Sequence, residues 1–310
     1  MGREVDVVVV GGGVAALTAA TFAARLGLQT VVMADVLIGG QILNVEEIDN
    51  FPGFPGSISG ADFGALVEQQ ATEAGAEFVF DQARSITIGG SALTVSGSAG
   101  DLEAPAVIVA TGSTLRQLGV PGQDRPEGRG VSYCGSCDAA MFAGGRVAVI
   151  GGGDSAADEA LVVAEHAAEV IMVVREPELH AAASTRARVR AHERIHIQTQ
   201  CETLEMLGDP VVSGLRLRHV RNDEESDLAV EGVFIFIGLE PNTGLLAPLV
   251  DLDDHGYVPT TPWMETSVPG LFAAGDIRRD SPRQLVTVAS DGATAALAAH
   301  RYVEAHRPSS

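Results

Sequence analysis

Apolar positions along this chain fall into short unbroken runs, each followed by glycines and then by a small-residue helical pattern. Val5–Val10 is a β-branched run, which reads as a strand buried on both faces of a parallel sheet. Gly11-Gly12-Gly13-Val14-Ala15-Ala16 follows, and an alanine-rich helix then extends to about Leu26. The next apolar run, Thr30–Met33, ends at Asp35. The same order recurs later. Arg146–Ile150 leads into Gly151-Gly152-Gly153-Asp154-Ser155-Ala156, a helix expected from near Ala157, and a strand over Val170–Val174 that ends at Arg175-Glu176. Val233–Ile237 predicts one more strand, leading through Gly238 to Asn242. Gly270 to Asp276 predicts a strand closed by a turn that presents a carboxylate, and the last helix is expected from about Arg283 to Glu304.

A G-x-G-x-x-G/A turn between a strand and a helix lets backbone N–H groups approach a pyrophosphate at the helix N-terminus. Two such turns predict an α/β fold with two Rossmann-like dinucleotide-binding domains. Asp35 stands about twenty residues past the first glycines, where a ribose-binding carboxylate belongs. The second unit offers Arg175 and Glu176 side by side at that place. An arginine suits the 2′-phosphate of NADP and a carboxylate suits NAD, so both donors stay open.

Between the two glycine turns lies Val131-Ser132-Tyr133-Cys134-Gly135-Ser136-Cys137-Asp138. A Cys-x-x-Cys pair closes a small reducible disulfide, and such a setting lowers a thiol pKa so that a thiolate can attack. Asp138 is a candidate acid/base for the leaving sulfur. Half of a zinc site is the competing reading, but no second cysteine or histidine pair completes four ligands. His192-Glu193-Arg194-Ile195-His196 matches a zinc-protease pattern, which needs a helix; Ile195 to Thr199 alternates like a strand instead. Cys201 reads as a small buried hydrophobe. Asp251, Asp253 and Asp254 read as a solvated turn, since they lack the glycine and distal glutamate of a calcium loop. Asp223, Glu224, Glu225 and Asp227 read as a charged hairpin loop.

Composition narrows the class further. The 310 residues are enough for two domains. Only three cysteines are present, so this is no disulfide scaffold, and a reducing compartment fits a catalytic thiol pair. A net charge of −21, with no lysine at all, argues against nucleic acid and against an anionic membrane. Residues 7–24 lack charge, yet three glycines split them into strand and helix rather than a membrane span. No signal peptide is read at the N-terminus, which predicts a soluble, cytoplasmic protein.

These motifs, in this order, resemble the low-molecular-weight, bacterial-type thioredoxin reductases over essentially the whole chain. The resemblance rests on both glycine turns, Gly39-Gly40-Gln41, Asn50 to Pro55, Ala110-Thr111-Gly112, the cysteine pair with Asp138, Glu159, Gly238 to Asn242, Gly275-Asp276 and Arg283-Gln284-Leu285. It implies an FAD-binding domain over 1–115 and 248–310, with the NAD(P)H-binding domain, 116–247, inserted into it and carrying the redox cysteines. It also implies a homodimer.

By the same matching, FAD is expected at Gly11, Gly13, Ala16, Asp35, Gly40, Gln41, Asn50, Thr111, Gly112, Asp276, Arg283, Gln284 and Leu285. NADPH or NADH is expected at Gly151, Gly153, Asp154, Ser155, Ala156, Arg175 and Glu176. Electrons would then pass through FAD to Cys134 and Cys137, with Cys137 nearest the flavin, Asp138 managing a proton, and Cys134 attacking a thioredoxin-like protein disulfide. Relatives that oxidise dithiols, or draw on ferredoxin instead of NADPH, are the alternative. The family's usual His-Arg-Arg run and following arginine read here as Val174, Arg175, Glu176 and His180, which predicts weakened NADPH selectivity.

Overall fold

The computed structural model describes residues 2–35, 38–45, 47–90, 92–125 and 128–307. The chain divides into two compact units: Met1–Thr114 with Pro241–Ser310, and Leu115–Glu240. The return crossing thus falls at Glu240–Pro241, ahead of the 247/248 boundary expected from sequence. Leu246 and Val250 pack with Val8, Val107 and Leu271 in the core of the first unit, which is why residues 241–247 belong to it.

In the first unit a five-stranded parallel sheet runs in the order Leu271–Ala273, Ala106–Val109, Val7–Val10, Thr30–Ala34, Glu77–Phe80. All four residues of Val7–Val10 are buried, as a strand covered on both faces requires. Val5, expected in this strand, lies just before it and donates its N–H to Glu103 O in a second sheet. That sheet consists of Arg3–Glu4, Asp101–Ala104, Ala92–Ser96 and Ser85–Gly89.

Helices Val14–Arg25 and Leu285–His306 cross on one face of the parallel sheet. Ala15, Ala16 and Ala19 meet Ala295, Ala296 and Ala299 in one core. At the crossing, a Cβ on Gly292 would stand 2.2 Å from Ala15 O, so the approach depends on having no side chain there.

The second unit repeats the plan. Its parallel sheet runs Val131–Ser132, Gly232–Ile235, Arg146–Ile150, Glu169–Val174, Ile195–Thr199. Helix Asp154–His166 covers one face, burying Ala156, Ala157, Ala160 and Val163. It begins ahead of the expected Ala157, because Gly153 already serves as its N-cap. An antiparallel sheet of Cys201–Leu207, Gly214–His219 and Glu225–Ala229 completes the unit.

Two minor expectations change. Glu225 and Asp227 lie on a strand rather than in the loop, and Arg216, directly opposite Asp227, bridges it at 3.0 Å and Glu205 at 3.1 Å. Opposite charges facing each other across a strand pair stabilise the register. The last helix spans Leu285–His306, because Arg283 has a left-handed backbone (φ 56°) that no helix accepts.

His192 closes the helix Ala183–Ala191 while His196 sits in a strand, and no group of metal ligands forms among the described residues. Cys201 is buried, and Asp253 caps its turn by accepting from His255 N and Tyr257 N. No described helix is long and apolar enough to cross a membrane.

Candidate functional site

The first glycine turn is dictated by its contacts. Gly11 has φ +121°, and a Cβ there would lie 2.3 Å from Ala110 O, so only glycine lets the turn lie against the neighbouring strand end. Gly39 pairs with Gly13 through a bridge and donates its N–H to Gly12 O at 2.8 Å. Gly13 caps the helix Val14–Arg25 without a side-chain hydrogen bond or an acidic residue in the first turn. The first N–H groups of that helix are therefore left for a ligand with negative charge.

These residues open into a cavity of about 890 Å³. Gly11, Gly13, Asp35, Gly40, Gln41, Thr111, Gly112, Asp276, Arg283, Gln284 and Leu285 all line it. Two expected residues do not. Ala16 is fully buried in the core, so the third fingerprint position serves helix–strand packing. Asn50 lines a smaller adjoining pocket with Ile42, Val45, Gln284 and Leu285.

Asp276 is the chemically informative wall. Its Oδ1 is buried with no hydrogen-bond partner among the described residues. Burial raises its pKa, while the Arg283 guanidinium and the nearby Ser281 and Ser113 hydroxyls act in the opposite direction. A buried acceptor without a close partner among the described residues fits a donor supplied by a ligand. Asp291 holds the turn that carries it: Oδ2 accepts from Gly275 N at 3.1 Å and from Arg278 Nε at 2.9 Å, and Oδ1 accepts from Arg278 Nη2 at 3.1 Å. Arg283 places its guanidinium over the Tyr257 ring, 4.6 Å from its centroid, and Gln284 starts the following helix through a reciprocal cap with Thr287.

Glycine cradle, helix N-termini, a carboxylate at the strand end and an orphaned buried acceptor together fit an elongated dinucleotide such as FAD. Sequence reading missed Asp81, Gln82, Ala83, Asn242, Gly244 and Leu245 in the lining. Asp81 to Ala83 follow the strand Glu77–Phe80, and ligands gather at the carboxyl ends of parallel strands, a rule that points to them. Asn242 donates to Thr111 O at 3.0 Å and its own carbonyl accepts from Thr111 Oγ1 at 2.6 Å.

The second glycine turn shares this backbone. Gly151 has φ +138°, and a Cβ there would meet Phe236 O at 2.1 Å. Gly153 caps the helix with nothing within 4 Å of its Cβ position. Asp154 Oδ1 is engaged, accepting from Ala182 N at 2.7 Å; Ser155 is exposed and Ala156 buried. Arg175 and Glu176 follow the strand Glu169–Val174 and pair at 3.3 Å.

In the same unit Cys134 and Cys137 form a disulfide with Cα atoms 5.3 Å apart. Cys134 is half-buried and Cys137 exposed. Ser132 donates its hydroxyl to Asp138 Oδ2 at 2.7 Å and accepts from Cys134 N at 3.1 Å, tying the carboxylate to the redox turn. Glu159, on the helix that starts at the second glycine turn, accepts from Gly135 N at 2.9 Å. The arrangement provides a reducible sulfur pair with a carboxylate beside it.

Comparison with known proteins agrees with this chemistry. The family model described as pyridine nucleotide-disulphide oxidoreductase matches residues 5–293. The thioredoxin reductase of Treponema pallidum (strain Nichols) is 39% identical over 304 residues, covering 98% of this chain and 99% of that relative. Among solved structures, Lactococcus lactis thioredoxin reductase superposes with a TM-score of 0.89 at 32% identity, over 97% of this chain and 99% of that one. The T. acidophilum thioredoxin reductase gives 0.85, also at 32% identity, over 96% and 98%.

Proposed function

Since this chain belongs to the pyridine nucleotide-disulphide oxidoreductases, among relatives that are thioredoxin reductases, we propose that it is an FAD-dependent disulfide reductase. It carries electrons from NADPH or NADH to a thioredoxin-like protein disulfide. The observation that carries the reading is the closed Cys134–Cys137 disulfide with Asp138 beside it.

On this reading the unit of Met1–Thr114 with Pro241–Ser310 binds FAD and Leu115–Glu240 binds NAD(P)H. The chemistry FAD supplies when bound is acceptance of a hydride from the nicotinamide and delivery of an electron pair to a disulfide. The Gly11–Gly13 turn holds the pyrophosphate, Asp35 the ribose, and Asp276 a donor group of the ligand. The Leu285–His306 N-terminus would favour negative charge on a ligand group held in the cavity it lines. Gly151 and Gly153 seat the second pyrophosphate in the same way.

Two electrons entering the Cys134–Cys137 bond break it and leave a thiol and a thiolate. Asp138, oriented by Ser132, gives or takes the proton that separates them. The Cys134 thiolate attacks the partner's disulfide, expelling one partner sulfur and forming a mixed disulfide. Cys137 then attacks Cys134, which restores the internal bond and releases the partner as a dithiol. The cytoplasm, where partner thiols are kept reduced, is the compartment we assign, and the homodimer is the assembly.

The test is anaerobic bleaching of the flavin in the purified holoenzyme, with NADH, NADPH and a dithiol added separately. A reductase bleaches with a pyridine nucleotide and is re-oxidised by thioredoxin. Cys134→Ser keeps nucleotide bleaching and loses about a thousandfold or more in disulfide turnover. Bleaching by dithiol alone, with neither nucleotide reacting, would overturn the reductase direction.

A further inference from the structure

Resting on that reading, we infer that Glu176 reads the adenine ribose of the electron donor and that the donor is NADH in preference to NADPH. The second glycine turn and the segment after the strand Glu169–Val174 form one clasp. Gly151 N donates to Val173 O at 3.0 Å, and His180 N donates to Gly152 O at 2.7 Å. Residues 174–180 therefore lie over the turn, with Leu179 buried beneath them. Within this clasp the main chain of Glu176 is fixed, its carbonyl accepting from Gln200 N at 3.1 Å.

The Glu176 side chain points back at the glycines. Its Oε2 lies 3.9 Å from the position a Cβ would take on Gly152. In a fold of this kind the second strand ends where the adenine ribose lies, and a carboxylate there accepts hydrogen bonds from two vicinal hydroxyls. A 2′-phosphate at the same place brings close to two negative charges against that carboxylate.

An arginine can receive a phosphate, but the Arg175 guanidinium is taken up by the Glu176 carboxylate. Its side chain is 72% exposed and its guanidinium bonds Glu176 Oε1 at 3.3 Å. To grip a phosphate it must leave that carboxylate uncovered beside the phosphate. The other ionisable side chains of the segment, Glu178 and His180, are exposed. Arg186, on the next helix, donates to Leu179 O. Glu176, the less exposed member of the pair, is thus the group at the strand end that selects a diol.

Calorimetric titration of the oxidised holoenzyme with NAD⁺ and with NADP⁺ measures this without turnover. The expected result is NAD⁺ binding about tenfold or more tightly, with kcat/KM for NADH and NADPH in the same order. Glu176→Gln weakens NAD⁺ several-fold and raises the KM for NADH while kcat holds, as loss of a ribose contact requires. Glu176→Arg reverses the preference. Tighter NADP⁺ binding by the wild type, or a preference unmoved by Glu176→Arg, overturns the inference. Should NADPH be preferred while still bleaching the flavin, only this inference falls. If neither dinucleotide binds and only a dithiol bleaches, the reductase reading falls as well.

Discussion

The two glycine turns are nearly the same object as backbone and differ in what surrounds them. Gly11 and Gly151 both sit at positive φ, each within 2.3 Å (at its Cβ position) of a carbonyl from the neighbouring strand end. Both helices begin at a glycine cap with no side-chain hydrogen bond. Around the first turn, residues drawn from 39–42, 81–83, 110–114, 242–245 and 274–276 with 283–288 line a cavity of about 890 Å³. The second turn is clasped by residues 174–182, through His180 N and Ala182 N. On the proposed reading the turn itself recognises a diphosphate in either place. Segments distant in sequence decide what else is held, and a ligand walled in by five segments is retained where one at a strand end exchanges. That division suits a permanent carrier in one unit and a diffusing donor in the other.

Separate substitution of the two glycines breaks the comparison most forcefully. An alanine forced to positive φ carries about 1–3 kcal/mol of strain, and the carbonyl contact adds to it. Gly11→Ala is expected to yield protein without flavin. Gly151→Ala keeps its flavin yet loses about a hundredfold or more in affinity for the pyridine nucleotide. Flavin content by absorbance and nucleotide titration of the same preparations check both. If either substitution abolished both ligands, the units would not be independent sites.

Local signals made these turns and the cysteine pair legible in the sequence, because strand, glycines and helix lie within a few residues of each other. At Ala16 the same spacing marks a position whose side chain faces the core. Helix Asp154–His166 starts earlier than expected because Gly153 caps it, with Asp154 turned to Ala182 N. What stayed hidden is contact between distant residues. Asn242 with Thr111, Asp291 with Gly275 and Arg278, and Glu159 with Gly135 join positions that no periodicity connects. Glu159 stood out only as part of a motif; the bond to the redox turn is a property of the folded unit.

A smaller effect sharpens the contrast in how the units are held. The first contains a buried ion pair, Arg278–Asp291, with side chains only 10% and 8% exposed. In the second, the pairs of Arg216 and Arg218 with Asp227 and Glu202 lie at the surface. Breaking a buried pair leaves an uncompensated charge, at a cost of about 3–5 kcal/mol. Asp291→Ala is therefore expected to lower the unfolding midpoint of the first unit and to loosen flavin, since Gly275 N also loses its acceptor. Replacing both partners, as Arg278→Met with Asp291→Leu, restores most of the stability but not the flavin affinity. Urea denaturation followed by flavin release separates the two effects; equal losses in the single and double variants would show that the charge is not what matters.

The smallest expected effect concerns the charge inside the first cavity. Burial raises the Asp276 pKa above its ordinary value of 3.8, against the opposing pull of Arg283. A folded-state carboxyl with a raised pKa binds more protons than its unfolded counterpart. Stability therefore falls as pH climbs from the ordinary value through the raised one, and the penalty is complete above it. Asp276→Asn removes that penalty. Flavin-free Asp276→Asn should gain in melting temperature relative to flavin-free wild type as pH rises from about 4 to about 7, while its affinity for flavin drops because the buried acceptor has lost its charge. Parallel melting curves for wild type and Asp276→Asn would mean that the carboxylate is solvated in the flavin-free protein and that its unpartnered oxygen is not held ready for a ligand.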